Sequence, residues 1–558
     1  MPLFSRRTLE VPAVSVPSFL FDSLQHNAGS GTSDPVFVDA KRPTRYAFTM
    51  QNYRDWSRRV ASGLLAAGLQ SGDRVVLCAG NNIFTPMVVM GTIMAGGIYS
   101  SANPGLTPRE LAYQLRNCTP RFLLAAPNCL ENARLAADAA GMDRDSIFEF
   151  DTLDSTASVE RPLHFWSWLI AGVEQGDRFV WEPLSTGEAA SRTAMLCYSS
   201  GTTGLPKGVE LTHSNLVANM MQLGMVQFSN KSIADRRGLC VLPMYHALAL
   251  IYYAFVGPKA GLQTIIMERY NLARMMEHVA HFKITDLLLV PPILISMAKH
   301  PRARDDTFDL SSIRKVVTAA APLGKEVTEQ AEEIWAGQVK VRQAWGMSEI
   351  PCMGLCWEEG EHRGPTSTSV GELLPGVEGM IVNEDNVEET EPGKRGELWL
   401  RGPNVMKGYW HNSSATADTV TQDGWLKTGD IALVDEAGKW YIVDRKKELI
   451  KVRGAQVAPA ELEALLFEHP QVLDAAVIGV KTATDDEDPR AYIVARDRTK
   501  VSERDIVVFV QERVAKVKRL TGGVVFVDSI PKNPSGKILR RLLRDMAAKR
   551  SETPRAKL

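Results

Sequence analysis

Residues 199–208, Ser199-Ser200-Gly201-Thr202-Thr203-Gly204-Leu205-Pro206-Lys207-Gly208, gather hydroxyls and glycines around a single lysine. Ala194-Met195-Leu196-Cys197-Tyr198 precedes them as an apolar run of strand length, and Val209-Glu210-Leu211-Thr212 resumes a strand pattern beyond. A loop of this composition between two strands predicts a phosphate-handling turn. Hydroxyls donate to phosphate oxygens, glycines let backbone N–H groups approach closely, and Lys207 adds a positive point charge. A flexible linker would also be rich in Gly, Ser and Thr, but flanking buried strands and the Pro206-Lys207 pair do not suit one. The phosphate loop of kinases and ATPases is excluded. Counted from Gly201, its G-x-x-x-x-G-K-[ST] pattern needs glycine where Pro206 stands, and Ser or Thr where Gly208 follows Lys207.

The chain around this loop has 558 residues, 45% hydrophobic and 23% charged, an ordinary globular balance whose length favours more than one domain. Its formal net charge of -1 offers no field for nucleic acid or an anionic membrane. The 7 cysteines are odd in number and lack paired metal-ligand spacing, Cys352 and Cys356 forming an isolated C-x-x-x-C, so a reducing compartment without structural zinc is expected. Arg6 and Arg7 are followed by Val11-Pro12 and Val16-Pro17, which interrupt any signal-peptide core, so secretion is not expected. The most apolar window, residues 87–101, is shorter than a membrane span. It holds Gly91, Gly96 and Gly97, predicting a buried helix with close neighbours rather than a transmembrane segment. The final Ala556-Lys557-Leu558 resembles the peroxisomal address Ser-Lys-Leu and predicts a peroxisomal import receptor as partner, the cytoplasm being the location otherwise.

Helical periodicity over residues 49–69 (Tyr53, Trp56, Val60, Leu64, Leu65) gives way to a strand at Asp73-Arg74-Val75-Val76-Leu77-Cys78. Helices over 86–97 and 108–115 follow, then a strand at 121–125. This alternation predicts an α/β fold with a large layered N-terminal domain around a largely buried parallel sheet. Residues 151–190, with Trp166, Trp168 and Trp181 among polar neighbours, predict only a cover over that core. Ser214 is placed to cap a helix running through Met221, and strands are expected at 238–242, 263–267, 284–290 and 316–321. From 370 to 408 short strands with Gly and Pro turns predict a β subdomain. The main boundary falls at Asp444-Arg445, giving domains 1–444 and 445–558, the second a small α+β unit.

Together these segments resemble the adenylate-forming superfamily of acyl-CoA synthetases, 4-coumarate-CoA ligases, beetle luciferases and peptide-synthetase adenylation domains. The resemblance covers nearly the whole chain and is densest over residues 193–540. It implies ATP and AMP contacts from Ser199, Ser200, Gly201, Thr202, Thr203 and Lys207, and from two cradle segments, Ala319 to Leu323 and Gln343-Ala344-Trp345-Gly346-Met347-Ser348-Glu349. Within the cradles it assigns Ala320, Gln343, Trp345 (its flat face over adenine), Gly346 and Ser348 to the nucleotide, and Glu349 to Mg2+. Asp430, in Lys427-Thr428-Gly429-Asp430, suits the ribose hydroxyls because an ionised carboxylate accepts both, and Arg445 suits ribose or phosphate. His246 is implied to gate the acyl and nucleotide pockets, Lys447 to be the hinge of a mobile C-terminal domain, and Lys537, in Pro531-Lys532-Asn533-Pro534-Ser535-Gly536-Lys537, to be the catalytic lysine. Lys451 and Gln456 match residues that enter the site after rotation, and Arg269, Arg453 and Gly454 match coenzyme A contacts.

The implied chemistry is two-step: a carboxylate attacks the α-phosphate of Mg-ATP to give acyl-AMP and pyrophosphate, and the thiol of coenzyme A then attacks that anhydride, the C-terminal domain swinging between steps. The expected acyl pocket, His246, Leu248, Ala319, Ala344, Pro351 and Cys352, departs from plant 4-coumarate ligases. Leu248 stands for their tyrosine, and alanines stand for glycines at 319 and 344. Loss of the phenol partner points to medium-chain fatty or unsubstituted aryl-alkanoic acids. Three alternatives share parts of the pattern: a luciferase-like oxygenase, a free-standing adenylation enzyme loading a carrier protein, and a non-enzymatic fatty-acid-binding or uptake protein.

Overall fold

The computed structural model describes residues 3–22, 34–153, 164–199, 205–229, 235–305, 307–361, 368–453, 455–482, 486–533 and 536–552. Ser200, Gly201, Thr202, Thr203, Gly454 and the terminal 556–558 lie outside them.

Two seven-stranded sheets form the N-terminal body. The first runs Gly408–Tyr409, Lys207–Thr212, Thr193–Ser199, Ile98–Ala102, Arg74–Cys78, Phe122–Ala125, Ile147–Glu149. Its last five strands are mutually parallel, and Lys207–Thr212 folds back antiparallel on Thr193–Ser199, pairing Ser199 with Lys207. The described strands on either side of residues 200–204 are therefore antiparallel partners, both largely buried. The second sheet runs Val341–Gln343, Lys315–Thr318, Asp286–Leu289, Arg237–Cys240, Gln263–Ile266, Pro35–Asp39, Ala47–Thr49, parallel except for the last pair. Strands buried on both faces read as apolar runs, which is why Leu287-Leu288-Leu289 and Val316-Val317 were recognisable without alternation. Among the described residues a continuous apolar core reaches from Val16 to Trp440 and joins both sheets.

Helix Thr85–Met94 is buried along its whole length. Gly91 lets it close on helix Met50–Ala66: a Cβ there would stand 2.6 Å from Val60 Cγ1 and 2.8 Å from the Ser57 carbonyl oxygen. One expectation needs correction. Ser214 does not cap the next helix, which runs His213–Gln227 from Thr212. Thr212 Oγ1 accepts from Asn215 N at 3.1 Å and Asn215 Oδ1 accepts from Thr212 N at 3.0 Å, a reciprocal box that Ser214 has no partner to make. Of the tryptophans in 151–190, Trp166 is buried while Trp168 is exposed.

The β subdomain is an antiparallel sheet ordered Leu3–Phe4, Glu378–Val382, Gly396–Arg401, Leu426–Val434, Trp440–Arg445, with Glu388–Glu389 beside Glu378–Val382. Beyond it come the hairpin Ile450–Val452 and Ala455–Val457, the sheet Val472–Lys481, Glu487–Ala495 and Val524–Phe526, and the helices Pro459–Phe467, Glu503–Gln511 and Arg540–Glu552. They pack around two apolar clusters of their own. Among the described residues no helix is long and apolar enough to cross a membrane.

Gly91→Ala should lower stability by about 1–3 kcal/mol, the cost of overpacking a close helix contact. The urea midpoint of unfolding measures this, and an unchanged midpoint would show that the two helices can separate freely.

Candidate active site

A cleft of about 460 Å³ separates the N-terminal body from the C-terminal unit. Its walls bring together Ala320, Gln343, Trp345, Gly346, Asp430, Arg445 and Lys537, which are scattered over more than two hundred positions of the chain.

Asp430 sits in strand Leu426–Val434 after Gly429, whose φ of +72° turns the backbone where a side chain would strain it. The turn is fixed by Thr428: its hydroxyl donates to Leu398 O at 2.7 Å and accepts from Asp430 N at 3.1 Å. The Asp430 carboxylate, only 2% exposed as a residue, accepts at Oδ2 from Trp345 Nε1 at 2.7 Å. Its Oδ1 lies 2.9 Å from Arg445 Nε in an ion pair, yet no donor is aligned on it for a hydrogen bond. A buried carboxylate oxygen without an aligned donor is an acceptor held ready for a hydroxyl.

The cradle segments are shaped by Gln343. Its Oε1 accepts from Leu323 N and its Nε2 donates to Leu323 O, both at 2.9 Å, so this amide holds the Ala319 to Leu323 loop against the second sheet. Ala320 there has φ +78° and Cys352 has φ +59°, left-handed conformations costly for residues with a Cβ. Gly346 is demanded by packing, since a Cβ would stand 2.3 Å from the Cys352 carbonyl oxygen.

On the other side of the cradle Glu349, 6% exposed, accepts at Oε1 from Tyr409 Oη at 2.7 Å. Lys207 Nζ stands 4.6 Å from the centroid of the same tyrosine ring. Tyr409 thus links the loop lysine to the buried carboxylate, and burial pushes its phenol upward in pKa. A single buried carboxylate beside a loop rich in phosphate donors suits magnesium shared with phosphate oxygens; among the described residues there is no cluster of three metal-ligating side chains. Ser348 lies at the turn between strands Trp345–Met347 and Ile350–Cys356.

His246 precedes helix Ala247–Ile251, and its Nε2 is buried without a partner. Burial pulls its pKa down to about 4, so the imidazole is neutral near pH 7. Of the residues expected at the acyl pocket Ala344 lines the cleft, while His246, Leu248, Ala319, Pro351 and Cys352 are not among its lining residues; Ala319, Pro351 and Cys352 are buried, and Cys352 Sγ lies 3.8 Å from Leu248 O. The Cys352 thiol is pushed up by burial. A π-helical turn, Tyr252–Val256, follows this segment.

Lys537 reaches the cleft on a tight turn. Its N–H donates to Asn533 Oδ1 at 2.8 Å, its carbonyl accepts from Asn533 N at 2.9 Å, and Lys532 is anchored on Asp474 Oδ2 at 2.7 Å. Gly536, with φ +83°, backs against Pro292, to which a Cβ would come within 3.0 Å. Burial, then the cation of Arg445, pulls the ammonium down to about 8, against the opposing pull of Asp430 and Glu448.

Several predicted residues are elsewhere. Gln456 Nε2 donates to Glu384 of the β subdomain, Lys451 N donates to Glu487 Oε2 at 2.9 Å, and both side chains are exposed outside the cleft. Arg453 is exposed with φ +48°. Lys447 is exposed just beyond strand Trp440–Arg445. Arg269 lines a separate cavity of about 680 Å³ that shares Pro292, Lys532 and Gly536 with the cleft. Sequence reasoning missed Tyr409 and Thr428: a tyrosine in Gly408-Tyr409-Trp410 carries no local signal that it will reach Glu349, which sits in the turn between two strands of a different sheet.

Two family models match the chain, the AMP-binding enzyme over residues 24–410 and the AMP-binding enzyme C-terminal domain over 461–537. The chain belongs to this family of adenylate-forming enzymes. It is 37% identical over 542 residues to phenylacetyl-CoA ligase epaB of Aspergillus niger, covering 96% of this chain and 98% of that one. It is 36% identical over 519 residues to peroxisomal OPC-8:0-CoA ligase 1 of Arabidopsis thaliana, covering 93% and 91%. Among solved structures, ATP-bound MatB from Rhodopseudomonas palustris superposes with a TM-score of 0.79 at 26% identity, covering 95% of this chain and 98% of that chain. The apo form of the same protein superposes with 0.71.

The lowered ammonium of Lys537 gives a signed expectation. The charged form dominates below about 8, so kcat/KM for ATP in acid-dependent pyrophosphate exchange should fall as pH rises through that value. A profile flat through it would show that this proton is not required.

Proposed function

We propose that this ATP-dependent acyl-CoA ligase activates a medium-chain fatty acid or an unsubstituted aryl-alkanoic acid. The observation that carries the reading is the convergence of Trp345, Asp430, Arg445 and Lys537 on one cleft. Asp430 Oδ1, lacking an aligned donor, accepts from the ribose, Trp345 covers adenine, and Arg445 contacts ribose or phosphate. Ser199, Ser200, Gly201, Thr202, Thr203 and Lys207 bind the β- and γ-phosphates, with Ser348 at the α-phosphate. Glu349 would hold Mg2+ jointly with phosphate oxygens, where the ion supplies charge neutralisation.

The substrate carboxylate attacks the α-phosphate and pyrophosphate leaves. Lys537 stabilises the charge developing on the α-phosphate oxygens from a site already drained of water, where a fixed cation acts at little reorganisation cost. Adenylylation matters because a bare carboxylate is a poor acyl donor and AMP a good leaving group. His246, neutral and half-enclosed, separates acyl and nucleotide pockets without adding a charge that would compete for the carboxylate. Domain 445–558 then turns on domain 1–444 about Lys447, withdrawing Lys537 and bringing in Lys451 and Gln456. Arg269, Arg453 and Gly454 meet coenzyme A, and the 680 Å³ cavity beside Arg269 supplies room for it.

The acid preference follows from the residues the family resemblance places at the acyl pocket. Leu248, Ala319, Ala344, Pro351 and Cys352 offer apolar contact and no hydroxyl partner, so a hydroxylated ring gains nothing there. The phenylacetyl-CoA ligase and OPC-8:0-CoA ligase relatives support this choice by name. The Arabidopsis relative and the terminal Ala556-Lys557-Leu558 support import into peroxisomes through the tripeptide receptor.

Lys537→Ala should lose adenylation by about 10² or more, the scale of deleting a preorganised charge-stabilising donor, while presynthesised acyl-AMP is still converted to thioester. Equal loss of both half-reactions would contradict the alternation. In a panel of acids assayed by pyrophosphate exchange, medium-chain and aryl-alkanoic acids should outcompete 4-coumarate, and the reverse order would sink the substrate assignment.

A further inference from the structure

Lys537 has a buried cation close behind it. Arg540 opens helix Arg540–Glu552, and its Nη2 donates to Glu463 Oε1 at 2.7 Å while its Nε donates to Val477 O at 3.2 Å. Val477 N donates to that same Glu463 oxygen at 2.8 Å. The guanidinium, the carboxylate and the backbone N–H and C=O of one residue, Val477 of strand Val472–Lys481, therefore close a ring. It ties together three elements: the last helix, the strand, and helix Pro459–Phe467, which carries Glu463. Both side chains are 11% exposed. An ion pair this enclosed is a poor source of net stability but imposes a geometry, because displacing either partner strands a charge in a dry site.

The ring extends to the cleft. Helix Pro459–Phe467 starts at Ala458, which has no side chain to cap it; the N–H of Ala460 is instead accepted by Asp444 Oδ2 at 2.9 Å. Asp444 Oδ1 accepts from Arg445 N at 2.7 Å, and Arg445 pairs with Asp430. Asp444 is buried and within electrostatic reach of Arg540. A carboxylate from the edge of the β subdomain thus stands at the N-terminus of a C-terminal-domain helix, where the aligned peptide dipoles favour it. The charged groups facing Lys537 are Asp430 and Arg445 from the β subdomain, Glu448 from the segment after it, and Arg540 from the lysine's own end of the chain.

We infer that Arg540, compensated by Glu463, is a positioning residue for adenylation: it fixes the turn that presents Lys537 to the cleft and holds a balanced positive charge behind it. Arg540 touches no substrate; it acts through Lys537. The inference rests on the reading of Lys537 as the adenylation lysine.

The test uses the full chain with Arg540→Met, Arg540→Lys and Glu463→Gln. Three measurements are made: pyrophosphate exchange against pH, thioester formation from presynthesised acyl-AMP, and thermal unfolding. Arg540→Met should slow exchange by about tenfold or more, the scale of a small misplacement of a catalytic group, and move its alkaline limb to higher pH. Glu463→Gln leaves Arg540 uncompensated and should move that limb to lower pH. Arg540→Lys should recover most of the rate, and acyl-AMP conversion should stay within about twofold in all three, because that step does not use Lys537 in the cleft. Limbs that stay in place, limbs that move in the same direction, or proportional loss of both half-reactions would overturn the inference. If Arg540→Met does not fold, the limb of Glu463→Gln decides alone. Lys537→Ala separates the two claims: intact exchange in that variant defeats the reading of Lys537 itself. Abolished exchange with unmoved limbs elsewhere defeats only the role of Arg540.

Discussion

Asp430 is a carboxylate in a nearly dry site, held between an indole N–H at 2.7 Å from strand Trp345–Met347 and a guanidinium at 2.9 Å from its cross-strand partner Arg445. Burying that charge is tolerable because both partners are fixed before any ligand arrives: Trp345 by the tight packing around Gly346, Arg445 by the strand that ends the β subdomain. The arrangement leaves one oxygen without an aligned donor. The strand Trp345–Met347, the β subdomain and the turn at Gly429 all meet at this carboxylate. Displacing any of them would strand a charge, so the cleft is a consequence of how its walls are built.

Lys537 and Gln456 occupy opposite situations in the same C-terminal unit. Lys537 is inside the cleft on a turn braced by Asn533 and by the Gly536 contact with Pro292. Gln456 is outside, engaged with Glu384. The 680 Å³ cavity beside Arg269 shares Pro292, Lys532 and Gly536 with the cleft that Lys537 lines. The turn that carries Lys537 therefore borders both cavities.

Much of this was legible in the sequence because several segments carry their meaning locally. The two strands flanking 199–208 and the alternation of helix and strand up to residue 125 were read correctly from composition and period. What was not legible depends on contacts between distant segments. Leu3–Phe4 joins the β subdomain by pairing with Glu378–Val382, far along the chain. The helix cap fell on Thr212 because Asn215 completes the box, a detail two candidate hydroxyls leave open. Tyr409 and Arg540 look like ordinary surface residues in their own segments and acquire roles only through Glu349 and Glu463. The roles assigned to the described site residues are proposals resting on where those side chains stand, and those of 200–203, Gly454 and 556–558 rest on sequence resemblance.

The account stands on Asp430 reading the ribose. Calorimetric binding of AMP and of its dideoxyribose analogue to the wild type and to Asp430→Asn isolates that contact in a double-mutant cycle. The wild type should prefer AMP by about tenfold or more, as expected for hydrogen bonds to a charged acceptor, and the variant should lose most of that preference. Equal discrimination in both proteins would place the ribose elsewhere and contradict the site.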